Sequence, residues 1–177
     1  MYQLLYLLRD VIALRRGPQD APHSPRLLAE IAALLVALEL TLAWLKGMSL
    51  RDVFAGALLS LVVTLGALHL LLALRGLRNR FVQSAIALVG CSFLFTVITL
   101  PFNLLIGDVP ANAQQMTPTQ LLIGFILLPI VVWQLLVNAH ILRHSLDVSF
   151  STALGIAGLW IVVILALATV AGPYVAT

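Results

Sequence analysis

Five apolar stretches of about 20 residues limit what this chain can fold into. The clearest two, residues 120–142 and 152–171, are separated only by a polar bend that holds Arg143, His144, Ser145 and Asp147. Runs of this length match a hydrocarbon core of about 30 Å. Inside lipid, only helices and closed barrels satisfy their own backbone groups. The pair therefore reads as a membrane-spanning helical hairpin. Three stretches upstream, at about 26–45, 53–74 and 81–105, repeat the format. Composition agrees: 62% of residues are hydrophobic and 10% charged, far less charge than a water-exposed surface of this size carries. The expected fold is all-α, a polytopic membrane bundle of five transmembrane helices preceded by a short interfacial helix. Residues 1–25 form the leading segment and 26–177 the membrane domain.

The leading segment is too short to cross. Over residues 2–16, Leu4, Leu7, Leu8, Val11 and Leu14 fall on one side of a helix, and Arg9 and Arg16 share the other. That pattern predicts an amphipathic helix lying parallel to the membrane. Arg9 and Asp10 interrupt the apolar opening, and no small-residue cleavage site follows, so a cleaved signal peptide is not expected. Gly17, Pro18, Pro22 and Pro25 then make a loop that cannot continue a helix. Ser24-Pro25 is a sound N-cap and first-turn pair for the span that follows. Gly47 suits the end of that span, Ser49 and Asp52 the entry to the second, and Gly172-Pro173 the end of the fifth.

Orientation follows from the cations. With the N-terminus cytoplasmic, the inner segments hold Arg9, Arg15, Arg16, Arg26, Arg75, Arg78, Arg80 and Arg143, and the outer ones only Lys46 and Arg51. Eight against two is a positive-inside asymmetry and places the C-terminus outside. The pI of 9.6 is thereby explained by topology, and no nucleic-acid partner is expected. One lysine among ten cations, in a Leu- and Ala-rich chain, suits a high-GC bacterium and its inner membrane.

Ionisable groups within spans are the first place to look for function, because each costs roughly 2.5–3.5 kcal/mol at the bilayer centre. Glu39 lies about 20 Å into the first span at 1.5 Å per residue. Ser60 and Thr64 of the second span and Ser92 and Thr96 of the third reach the same depth. Glu39 is expected to bond one of these hydroxyls as the neutral acid, or to serve a proton, ion or lipid headgroup. Glu30 has Arg26 four residues before it, and an i,i+4 pair explains it.

His69 and His140 sit near the inner ends of their spans, where two histidines could ligate haem or a metal. Nothing else in the chain supports a cofactor, so neither is expected, and helix–helix hydrogen bonds or headgroup contact are the ordinary uses. Cys91 stands alone in an apolar run, which excludes an intramolecular disulfide or a paired-cysteine metal site. Pro101 and Pro129 are expected to kink their helices. Gln134 and Asn138 put two amides on one face, expected to hydrogen-bond across helices. Ser151, Gly155 and Gly158 offer a small-residue step for close packing within the chain or in a homodimer. No nucleophile elbow, zinc-protease motif, phosphate loop or paired carboxylates appear, so no enzyme is expected.

Trp133, then Ala139-His140-Ile141-Leu142-Arg143, Leu146, Ser149, Ala153-Leu154 and the long last span resemble the end of Yip1-family membrane proteins. That resemblance implies five spans, a cytoplasmic N-terminus and a small bacterial-type, non-enzymatic protein. The short leading segment departs from eukaryotic members, whose longer cytoplasmic regions engage trafficking GTPases, and that role is not carried over.

Three functions follow as expectations. The first is an adaptor that organises lipids, a membrane-protein partner or a second copy through Arg75, Arg78, Arg80, His69, His140 and Arg143. The second is a small transporter or lipid-translocating protein using Glu39. The third, a redox subunit using His69 and His140, is the weakest on the residues.

Overall fold

The computed structural model describes residues 2–107 and 116–175, with side chains described over 4–107, 116–164 and at 166. Among them there is no strand. Six α-helices follow in order: α1 (Tyr2–Ile12), α2 (Pro25–Leu45), α3 (Leu50–Leu74), α4 (Phe81–Ile106), α5 (Pro118–Leu146) and α6 (Phe150–Val175), with 3-10 turns at Pro18–Asp20 and Arg78–Arg80. Four helices are long and apolar enough to cross a membrane, namely α2, α3, α4 and α5. In α6 the part Phe150–Ile164 is also apolar.

Local chemistry sets these boundaries. Ser24 Oγ accepts from Leu27 N, with Pro25 opening α2. Ser49 Oγ accepts from Asp52 N and starts α3 at Leu50, three residues earlier than expected. Thr117 and Gln120 form a reciprocal capping box for α5, which satisfies orphan donors at the helix start. Gly47 and Gly76 end α2 and α3 at φ +66° and +70°, a region glycine enters without steric cost. α5 runs four residues past the expected stop because it ends on Asp147 in the left-handed conformation (φ 55°), whose N–H bonds Arg143 O. Pro101 and Pro129 sit inside continuous helices. α6 continues through Gly172-Pro173, because a proline in a last turn forfeits one backbone bond rather than a whole helix. The loop 108–115, between α4 and α5, lies outside the described residues.

The core sits around the first half of α4. Every residue from Ser84 to Cys91 is buried, and most are small (Ser84, Ala85, Ala87, Gly90, Cys91), which lets neighbouring helices approach closely. α4 packs against α1, α2, α3 and α5, and α6 packs on α5 and α3. Val137, Ile141, Leu142 and Leu146 of α5 complete this core.

α1 departs from the expectation in two ways. It stops at Ile12, and Leu14 takes a left-handed backbone (φ 59°), so Leu14 leaves the helical face. Its apolar stripe does not face lipid: Leu7, Leu8 and Val11 are buried in the same core as α4 and α5. Gly90 makes room for this. A Cβ there would lie 2.8 Å and 2.9 Å from the two Cδ atoms of Leu8. The bundle offers α1 a packed apolar surface, and dense packing outbids contact with fluid chains.

The proline-rich loop that follows is likewise tucked in, with Gly17, Pro18 and Ala21 buried. Gln83 Nε2 donates to Gln19 O (3.1 Å) and Ala21 O (2.8 Å). Trp133 Nε1 donates to Ile12 O (3.2 Å). His140 Nε2 lies 3.0 Å from Arg16 O. Three side chains of α4 and α5 thus hold residues 12–21 by their backbone.

Candidate functional site

Glu39, Ser60, Thr64, Ser92 and Thr96 line one cavity of about 210 Å³ near the middle of α2, α3 and α4, and Gln134 of α5 joins them. All six are half-buried. The grouping expected from depth alone is therefore present. The expected bond is not. Glu39 makes no hydrogen bond or ion pair among the described residues, whose three ion pairs all lie elsewhere, on Asp10 and Glu30.

One of the four hydroxyls, Thr96, is engaged within its own helix. In a helix a Ser or Thr can bond the carbonyl four residues back without any partner helix. Thr96 does so to Ser92 O (3.0 Å) and Thr99 to Phe95 O (2.9 Å). The cavity also holds the helices apart there, and it has room for several waters, each needing roughly 10–15 Å³. An unpaired carboxyl in a polar hollow is set to meet a ligand or water rather than a fixed neighbour.

A second, smaller cavity of about 80 Å³ adjoins the first. Thr64 and Ser92 line both, and Asn138, Ala157 and Trp160 line the smaller one. Gln134 and Asn138 thus point into the bundle as expected, but each faces a cavity and neither bonds across helices among the described residues. Gln134 was not grouped with Glu39 from sequence. Its position on the same face as Asn138, at mid-span, was the available signal.

The two histidines have separate surroundings. His69 is exposed at the end of α3, its ring edge-on to Phe81 at 5.2 Å. His140 is almost buried, facing Arg16 O, with its ring 4.6 Å from that of His144. Among the described residues no group of three potential metal ligands forms. His140 instead serves as an anchor for the leading segment.

All the arginines but Arg51, which lies in the first turn of α3 at the other end, gather where α2, α4 and α6 start. Arg80 Nη1 donates to His144 O (3.3 Å), joining the start of α4 to the end of α5. Arg9, Arg15, Arg16, Arg26, Arg75, Arg78 and Arg143 are exposed. Asp10 pairs with Arg9 (2.8 Å) and Arg16 (3.5 Å). The hydrogen bond from Arg9, then the charges of Arg9, Arg16 and Arg15, hold its carboxyl below the usual range. The Arg26–Glu30 pair forms as expected, 2.9 Å apart and exposed.

Within the chain, the small-residue step of α6 meets no other helix among the described residues. Gly155 and Gly158 have open space where a side chain would stand, and Ser151 is exposed. The small residues that meet the bundle are Ala153 and Ala157, buried to 0% and 3% exposure. No family model, curated protein or solved structure matches this chain.

Proposed function

We propose that the chain is a five-span, non-enzymatic, Yip1-like protein of a bacterial inner membrane, with its N-terminus cytoplasmic, that organises membrane partners or lipids. One observation carries this reading: α1 and its loop are held on the arginine-bearing end of the bundle, which adds Arg9, Arg15 and Arg16 to the surface that carries Arg75, Arg78 and Arg143. With Leu7, Leu8 and Val11 in the bundle core, the leading segment presents Arg9, Arg15 and Arg16 beside the exposed Leu5 and Tyr6, with Asp10 paired to Arg9 and Arg16. Such a surface suits anionic headgroups or an acidic partner. α4 and α5 are about 39 and 44 Å long at 1.5 Å per residue, so each exceeds a core of about 30 Å. The surplus leaves room for α1 beside the inner end. An impermeant crosslinker applied to inverted vesicles should trap a partner or a second copy, and the same reagent on intact cells should not. Replacing Arg75, Arg78 and Arg143 by Gln should reduce the yield severalfold. Neither partner nor self-association in native membranes would remove the basis of this reading.

The Glu39 cavity favours a second reading, a small transporter or lipid-translocating protein. Here the carboxyl binds the cargo or a coupling ion within the span. Glu39→Gln should then depress flux in reconstituted vesicles by about tenfold or more, the cost of about 1.4 kcal/mol. Unchanged flux of every cargo tested, with an unchanged pH response, would end it.

A further inference from the structure

We infer that the Glu39 cavity receives the primary-ammonium head of a single-chain amphiphile whose tail lies in the apolar groove between α3 and α6; this rests on the second reading above and names its ligand class. The groove, about 230 Å³ in volume, is lined by Ala67 and Leu71 of α3 and Leu159 and Trp160 of α6. Its lining is almost wholly apolar, and Leu159 is exposed on the outer face. Trp160 lines both this groove and the smaller polar cavity, and Thr64 lines both polar cavities. Ser60, Thr64, Ala67 and Leu71 are spaced i, i+4, i+7 and i+11, so they form one stripe along α3. That stripe passes from polar at Glu39 to apolar at the groove. The groove, the smaller cavity and the Glu39 cavity therefore adjoin in series, with Trp160 and then Thr64 and Ser92 as their shared walls.

The head follows from the donor and acceptor inventory. The cavity supplies a carboxyl without a cation, hydroxyls, and the Gln134 amide. A charge this far from bulk water needs an opposite charge or several hydrogen bonds. A primary ammonium brings one charge and three donors. A carboxylate head would bring like charge to Glu39, and an alcohol can offer it one hydrogen bond but no opposite charge. The remaining length of an acyl chain needs only a dry, side-open slot, which the α3–α6 groove provides.

The test uses the full chain in discs of zwitterionic lipid. A long-chain primary amine brominated at mid-chain is compared with the alcohol and the carboxylic acid on the same chain. Bromine quenches nearby indoles, and Trp160→Phe identifies the share due to Trp160. The amine should quench Trp160 at a concentration about tenfold or more below the alcohol or the acid, and Glu39→Gln should bring the amine to the level of the alcohol. Ala67→Leu, which fills the groove and leaves the cavity intact, should weaken amine and alcohol alike. Equal quenching by amine and alcohol, or a preference that survives in Glu39→Gln, overturns the inference. A Glu39-dependent flux with no amine preference would reject this ligand and keep the transport reading. An amine preference with Glu39-independent flux would keep the site and reject transport.

Discussion

Gly90→Val should detach the leading segment from the bundle. The Cβ alone would press on both Cδ atoms of Leu8 at under 3.0 Å, and the valine methyls add bulk in the same place. Leu8 is 3% exposed, so its Cδ atoms can give way only by displacing buried neighbours. Overpacking of this kind costs about 1–3 kcal/mol. Because α1 joins the rest through a loop, the strain is most readily relieved by local opening rather than global unfolding. Trypsin cleavage after Arg15 and Arg16 should therefore accelerate roughly five- to hundredfold, while the six-helix far-UV signal stays near its original value. Leu8→Ala in the same chain should restore part of the protection, a coupling a double-mutant cycle can measure. An unchanged cleavage rate would mean that α1 does not rest on Gly90.

Ala153→Leu and Gly155→Leu should differ sharply although they lie two residues apart. Ala153 is fully buried, and α6 packs chiefly on α5. Lipid is as apolar as leucine, so α6 docks through close packing rather than through exclusion of water. A larger side chain at the contact therefore gains nothing to offset its bulk and should cost about 1–3 kcal/mol. Gly155 faces open space, so its replacement should stay within about 0.5 kcal/mol for the monomer. Denaturation in mixed micelles would rank the two. A Gly155→Leu protein destabilised as much as Ala153→Leu would show that the inward face of α6 has been misassigned. Loss of a dimer in Gly155→Leu, with the monomer intact, would locate self-association on that exposed step.

Much of this architecture is legible in the residues. Apolar length placed the helices, and Ser24, Gly47 and Ser49 placed three of their ends, because capping is a local interaction between neighbours in the chain. Depth counting from those ends brought Glu39, Ser60, Thr64, Ser92 and Thr96 to one level, and the cavity holds all five. What failed were statements about partners. Glu39 is expected to bond one of four hydroxyls and bonds none among the described residues, and of the four Thr96 bonds its own helix. Gln134 and Asn138 were given cross-helix bonds where cavities keep the helices apart. The roles of Gln83, Trp133 and His140 were missed, because each grips a backbone carbonyl of residues 12–21, and a carbonyl carries no sequence signal. An amide one turn inside an apolar span, as at Gln83, was the available hint.

The division is physical. By itself the sequence determined that the chain is helical and apolar enough for lipid, where its long helices lie to within a few residues, and at what depth its polar groups lie. These depend on length, local capping and rise per residue. Only the tertiary structure decided which faces meet. α1 turns its apolar stripe to the bundle, α6 presents Ala153 and Ala157 rather than Gly155, and Glu39 opens onto a hollow. In water, hydrophobicity marks the inward face of a helix. Among helices whose every side is apolar it marks none, and shape alone chooses.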